Sequence, residues 1–356
     1  MGRLISIVGR LKDLPSFRFY TGLFLLSSLL VISIACNEEV AEAESFFERT
    51  PQTIDERVFH DSLVLVDSTK LEPHGVHDAR NVFLHDGLLY VGDTAETRVA
   101  VFSPEDLSLV SLIGHGSGEG PGELGGLRDF AVGPGFIALC SEPERKVALY
   151  DFDGSHRGDF FLNDAPPHRL AATEDVVVVL SPFSSKEVFS VVSSEGEVRI
   201  GWEQRADDTS PLAYSGIVEA ADNHVYFAGI SESTLRKYSL DGELLFSRAT
   251  IDDVPPNTNY ATFEGPTHTS WRYTDHAVLS SLDMAVLGDY MLVYPLHDTM
   301  GDRIRVLDVY DSADGTYQKS FRMQHLARSV TGDATQIFML EYIEEELYLM
   351  AYENPL

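Results

Sequence analysis

The chain reads as all-β, a ring of six repeated sheets. Three observations predict it: a six-fold repeat of paired apolar strands, Asp-Gly or Glu-Gly turns at matching places in four copies, and a strand-like N-terminal segment that complements an incomplete last copy. The strand pairs fall at 88–92 with 98–102, 136–140 with 146–150, 176–180 with 187–191, 224–228 with 235–239, 290–294 with 303–307, and 336–340 with 347–351. Their first strands start 48, 40, 48, 66 and 46 residues apart. A β repeat of roughly 40 to 50 residues is the period of propeller blades, each a four-stranded antiparallel meander. The reading is therefore a six-bladed β-propeller spanning residues 53–356.

The N-terminus comes first. Arg3, Arg10, Lys12 and Arg18 precede an uncharged run from Phe19 to Ala35, and Cys36 follows at once. A basic region, an apolar core and a small residue before a boundary read as a secretory signal over residues 1–35. The cysteine makes it resemble a bacterial lipoprotein signal, although Ser33 stands where that pattern prefers Leu. Cys36 is then the expected lipidated residue. Residues 36–52 are polar and acidic, with Phe46-Phe47 the only large apolar pair, and read as a tether.

In four of the copies the turn after the second strand of the pair carries Asp153-Gly154, Glu195-Gly196, Asp241-Gly242 or Asp314-Gly315. Such dipeptides supply the positive φ of a two-residue hairpin. The last copy ends at Leu356 after about three strands. The segment 57–67, with its core at Phe59–Val66, is expected to supply the fourth strand and to close the ring, which pairs otherwise open edges.

Of 356 residues, 44% are hydrophobic and 23% charged, which gives a real core and excludes a disordered chain. The formal charge is −30, from 56 acidic and 26 basic residues. That opposes nucleic-acid binding, since the phosphate backbone rewards clustered Lys and Arg. Only 6 of the basic residues are Lys, a surface suited to high salt as well as to simple solubility.

The first copy carries a family resemblance. Val91-Gly92-Asp93-Thr94, followed by Arg98-Val99-Ala100-Val101-Phe102, resembles an NHL repeat. The Gly-rich stretch from Gly114 to Leu124 resembles the connector between such blades. It is also similar to the GxGPGE connector of the six-bladed, TolB-like propeller lipoproteins common in Bacteroidota. The strong match covers roughly residues 80–133, and the other copies share the strand pattern only. The resemblance implies an envelope protein anchored by its N-terminal lipid to the outer membrane, periplasmic or surface-exposed. The acidic residues after Cys36 point to export.

Strand parity puts the blade-to-blade connectors on one face. That face holds the long segments 114–127, 203–215 and 250–278, while the opposite face has short turns such as Asp86-Gly87 and Pro134-Gly135. Function tends to lie on long loops over a rigid scaffold. The segment 250–278 carries His268, Trp271, Arg272, Tyr273 and His276, a mixture that binding surfaces enrich. With His115 on the Gly-rich connector and Asp93 and Arg98 in the first blade, these are the candidate binding residues. Asp93 and Arg98 read as a loop-fixing pair before a catalytic one. The glycines 114–122 lack the following Lys-Ser or Lys-Thr of a phosphate loop. No nucleophile elbow or Ser-His-Asp pattern occurs, and neither a catalytic residue nor a cofactor is assigned.

The expected function is a monomeric binding or scaffold module for an envelope protein, peptide or glycan. The alternative is a gluconolactonase-like lyase or hydrolase with a metal in the central channel. That site would need histidines from several blades, such as His115, His168 and His297.

Overall fold

The computed structural model describes residues 45–52, 57–60, 62–163, 165–174, 176–205, 210–257, 260–264, 269–297 and 303–356. Cys36 and His268 lie outside these residues. Ala43 to Leu356 forms one compact unit.

Strand β1 (Leu65–Lys70) precedes the first blade, β2 (Ala79–His85), β3 (Leu88–Asp93), β4 (Arg98–Phe102) and β5 (Leu109–Ile113). The second blade is β6 (Asp129–Gly133), β7 (Phe136–Ser141), β8 (Lys146–Tyr150) and β9 (His156–Phe161). The third is β10 (Arg169–Thr173), β11 (Val176–Leu180), β12 (Glu187–Ser193) and β13 (Val198–Gln204). The fourth is β14 (Gly216–Ala221), β15 (His224–Gly229), β16 (Leu235–Ser239) and β17 (Leu244–Arg248). A separate hairpin, β18 (Tyr260–Glu264) and β19 (Thr269–Tyr273), comes next. The fifth blade is β20 (Ser281–Leu287), β21 (Tyr290–Pro295), β22 (Val306–Asp311) and β23 (Tyr317–Arg322). The sixth is β24 (Leu326–Gly332), β25 (Gln336–Ile343) and β26 (Glu346–Glu353), with β1 as its outer strand. The molecule is thus a six-bladed β-propeller.

The repeat visible in the sequence consists of the second and third strands of each blade. These are covered on both sides by neighbouring blades, so they read as unbroken apolar runs, such as the fully buried Val176–Leu180. The interface between the first and sixth blades packs Val82, Leu89 and Val91 against Phe338, Leu340 and Leu349. Between the first and second blades, Tyr90, Val99 and Val101 pack against Phe130, Ile137 and Leu139.

Ring closure comes from the N-terminus, but from a strand shifted along the chain. Strand β1 pairs antiparallel with β26, with Leu65 opposite Tyr352 and Lys70 opposite Tyr348. The residues just upstream serve the fifth blade instead. Phe59 bridges in parallel to Ser320, and the His60 N–H donates to the Ser320 carbonyl at 3.0 Å. Arg57 forms ion pairs with Asp252 and Asp308. Charge pairing holds residues 57–60 on the fifth blade, and only then does the chain cross to the sixth.

The Asp-Gly turns differ from the expected two-residue type. In the second blade Gly154 has φ +86° and its N–H donates to the Asp151 carbonyl at 2.9 Å. The register shifts at Leu149/Tyr150. This is a type I turn ending in a left-handed glycine and a bulge. The Asp153 carboxylate accepts from the Ser155 N–H at 2.9 Å, which explains the aspartate. The two-residue form occurs between the first and second strands, as at Asp86-Gly87, with φ +47° and +69°.

Residues 45–52, expected within a free tether, pack on the fourth blade. Phe47 is 2% exposed, set edge-on to Tyr214 and Phe227 at 5.3 and 5.7 Å. The Arg236 guanidinium lies 4.4 Å from its ring centre. The Phe46 N–H donates to the Glu232 carboxylate at 2.9 Å, and Thr50 bridges in parallel to Arg248. Sequence polarity suggested a tether, but an aromatic anchor, a short stretch of edge pairing and the bonds of Ser45, Phe46 and Arg49 dock residues 45–52.

Candidate binding face

All six inner strands, β2, β6, β10, β14, β20 and β24, start at the connector face and run down the channel. Residues near their starts therefore converge on the axis. Four of these positions are arginines: Arg80 in β2, Arg128 just before β6, Arg169 opening β10, and Arg328 in β24. At this end lies a cavity of about 200 Å³ whose lining includes Arg80, Asn81, Asp129, Arg169, Asp283 and Arg328.

The four arginines are unequally paired. Arg328 donates to Asp78 and to the Tyr342 hydroxyl, both at 2.7 Å. Arg128 pairs with Glu142 at 3.0 Å and donates to His168 at 2.6 Å. Arg169 reaches Asp129 only at 3.9 Å, and its buried Nη1 has no hydrogen-bond partner. Asp129 is already engaged by the Asn81 amide and by the Leu170 N–H at 2.8 Å. Burial raises its carboxyl above the usual range despite Arg169. Among the described residues the Arg80 guanidinium makes no hydrogen bond or ion pair. Burial, with Arg169 and Arg128 beside it, pulls its guanidinium down to about 10.

Deeper in the channel Asp283 accepts from the Val330 N–H at 2.8 Å, and burial pushes its carboxyl up to about 6. Glu219 follows, with burial and then Asp283 raising it well above the usual range. At the rim, burial lowers His168 to about 4 against the pull of Glu142, so its ring is neutral and accepts from Arg128.

A file of rings runs outward from this mouth. His168 meets Phe183 edge-on at 5.9 Å, and Phe183 lies 5.7 Å from Trp271. Trp271 sits on the β18–β19 hairpin, opposite Thr262. The segment 250–278 is thus partly strand rather than a loop. Trp271 is half-buried. Tyr273 is docked, its hydroxyl 2.7 Å from the Ser231 Oγ and donating to the Leu212 carbonyl at 3.1 Å. Arg272 and His276 are exposed on the same element.

The other expected residues lie elsewhere. Asp93 is fully buried and accepts from the Asp78 and Ala95 N–H groups at 3.1 and 3.2 Å. Arg98 donates to the Gly75 carbonyl at 2.9 Å and stands 4.0 Å from Asp93. Both fix loops of the first blade. His115 packs edge-on to Tyr150 at 5.4 Å on the Gly-rich connector. That connector folds its Gly120 and Glu123 carbonyls onto buried Lys146 at 2.9 and 2.8 Å, the reverse of a phosphate cradle. Among the described residues no group of three His, Cys, Asp or Glu is placed to hold a metal. His168 is engaged by Arg128, and the His297 Nδ1 accepts from the Leu279 N–H at 3.1 Å.

The arginine mouth escaped sequence reading because the repeat was traced on the middle strands. Its signal is an arginine near the start of the inner strand in four of the six copies.

No protein-family model matches the chain, and no curated protein does. Among solved structures it is similar to a Bacteroides fragilis protein described as exported, with 14% identity and a TM-score of 0.54, covering 85% of this chain and 98% of that one. It is also similar to U3-55K, with 10% identity and a TM-score of 0.50, covering 81% of this chain and 99% of that one. At these identities the likeness is one of fold.

Proposed function

We propose that this β-propeller is a lipid-anchored envelope protein of the TolB-like, NHL-repeat kind. In this reading it is a non-enzymatic module that binds a protein, peptide or glycan on its connector face. The observation that carries the reading is the β18–β19 hairpin. It is the one pair of strands outside the six blades among the described residues, and it lies on the connector side with Trp271, Arg272 and His276. Its ring contacts lead from Trp271 through Phe183 to the channel mouth. A rigid scaffold carrying an inserted, aromatic-bearing element is how propellers present binding surfaces. The address rests on the run from Phe19 to Ala35 followed by Cys36. The exported description of the Bacteroides fragilis protein agrees with it.

Two substitutions test the two halves. Cys36→Ser should move the protein from the membrane fraction to the soluble one, or leave it unprocessed. A mutant processed and sedimenting as wild type refutes the anchor. Trp271→Ala should weaken capture of envelope components at least tenfold, about 1.4 kcal/mol. Because the ring is half-buried, the stability cost should stay near 1 kcal/mol, below the 3 to 5 kcal/mol of a core aromatic. Full capture by a folded mutant removes the hairpin from the interface.

A further inference from the structure

The connector end of the channel gathers positive charge in a chain that has little of it. Only 26 of the 356 residues are basic, and the formal charge is −30. Yet Arg80, Arg128, Arg169 and Arg328 come from four blades to one mouth. Bringing guanidinium groups together in a partly buried site is unfavourable unless anions compensate them. Four carboxylates, Asp78, Asp129, Glu142 and Asp283, stand near the four arginines, but they do not pair with them one to one. Arg328 is matched by Asp78 and Arg128 by Glu142. Asp129 is engaged by Asn81 and the Leu170 N–H and lies 3.9 Å from Arg169. The Arg80 guanidinium makes no hydrogen bond or ion pair among the described residues, and the Arg169 Nη1 is buried without a hydrogen-bond partner.

We propose that this mouth is an oxyanion-binding site, in which Arg80 and Arg169, backed by Arg328, receive the phosphate, sulfate or carboxylate group of a ligand. The planar guanidinium fork matches these groups in pairs of parallel hydrogen bonds. Asn81 and Ser329 line the same cavity and add neutral polar groups. At about 200 Å³ the cavity is smaller than a site for a whole drug-sized ligand. It therefore takes the charged end of a ligand whose remainder extends onto the connector face. The guanidinium of Arg80, depressed first by burial and then by Arg169 and Arg128, accords with this, because an anion in the mouth would offset both.

The inference deepens the binding reading of this face and rests on it, but its test needs no partner. The chain is titrated with inorganic phosphate and, separately, with glucuronate, each against sodium chloride of equal ionic strength. Melting temperature and calorimetry are the readouts. At least one probe should raise the melting temperature above the chloride control. A response to phosphate identifies a phosphoryl or sulfuryl source, and a response to glucuronate alone identifies a carboxylate. Arg80→Met should weaken the response at least tenfold. In chloride it should be at least as stable as wild type, because it removes a cation held among like charges. Arg80→Gln should behave in the same way. The exposed Arg157, paired with Asp151 on the surface, provides the control, and Arg157→Gln should keep the full response. No response to either probe overturns the site. So does a response that survives Arg80→Met, or a loss of stability in chloride, which marks Arg80 as a structural support. Failure here with Trp271-dependent capture intact would leave the binding face standing without an anion site.

Discussion

Replacing Phe47 with alanine asks whether the residues after the expected anchor are a free tether or part of the fold. The ring is 2% exposed and touches Tyr214, Phe227 and the Arg236 guanidinium. Truncating a buried Phe costs about 3 to 5 kcal/mol. The lost cation–π contact is part of that cost, about 0.5 to 2 kcal/mol at a desolvated site. A second limit applies, because segment 45–52 can undock as a unit. Its other ties are the Ser45 hydroxyl and Phe46 N–H on Glu232, Arg49 on the Ser233 carbonyl and Asp253, two backbone hydrogen bonds of 2.9 Å between Thr50 and Ser247 and Ala249, and Gln52 with the Ala249 and Gly315 carbonyls and the Tyr317 N–H. The observed loss cannot exceed the docking free energy of the segment, so the lower end, about 3 kcal/mol, is expected. At about 2 °C per kcal/mol for a large domain, the melting temperature should fall by about 6 °C. A chain beginning at residue 53 should melt at or below Phe47→Ala, since it also loses the bonds of Phe46, Arg49, Thr50 and Gln52. An unchanged melting temperature for Phe47→Ala would refute the argument and restore the tether.

Other consequences are open to measurement. Removing residues up to Lys70 deletes β1, leaves β26 as an open edge and uncovers Met350 and Tyr352, so this chain should melt far below one lacking only residues 1–52; equal melting would remove β1 from the closure. Asp283→Asn should raise stability at pH 7 to 8. Burial lifts the Asp283 carboxyl from 3.8 to about 6, so the folded state binds this proton more tightly than the unfolded state. Its contribution is full below pH 4 and is lost as pH rises through about 6, so the advantage of the mutant should vanish toward pH 4. The neighbouring Glu219 and Arg169 stay in place, and an advantage that persists at pH 4 would assign the effect to packing instead.

The blades were legible because burial on both faces writes a strand as an unbroken apolar run. Val176–Leu180 and Phe136–Ser141 leave no other reading. Inner and outer strands were fainter. Inner strands face the channel and mix Arg80, Asn81 and Asp129 with apolar neighbours. Outer strands keep large apolar residues in water, as at Val110, Phe161 and Val198. The closing strand was placed too early because Val64, Leu65 and Val66 are apolar yet about half exposed, so apolar character did not mark the pairing. The hairpin residues 260–273 alternate as strands do, but the aromatic content and the break in the repeat suggested a loop. On segment 250–278, Trp271, Arg272 and Tyr273 share strand β19 with His276 just after it, whereas Asp93 and Arg98 lie in the first blade and His115 on the connector that follows it. The arginine mouth required superposing inner strands, which no single copy displays.

Ring closure by β1 also sets a timetable. The strand is synthesised early, and its partner β26 begins at Glu346, 276 residues after Lys70. At 5 to 20 residues per second the gap is on the order of 10 to 60 s. During that interval the run Leu63 to Val66 has no sheet to join, and it has the composition of an aggregation-prone edge. The blades between can each form from local contacts, but the ring becomes a single cooperative body only when the final strand arrives. Val64 to Val66 stay about half exposed even after closure, so closure pairs the backbone of this stretch without taking its side chains out of water.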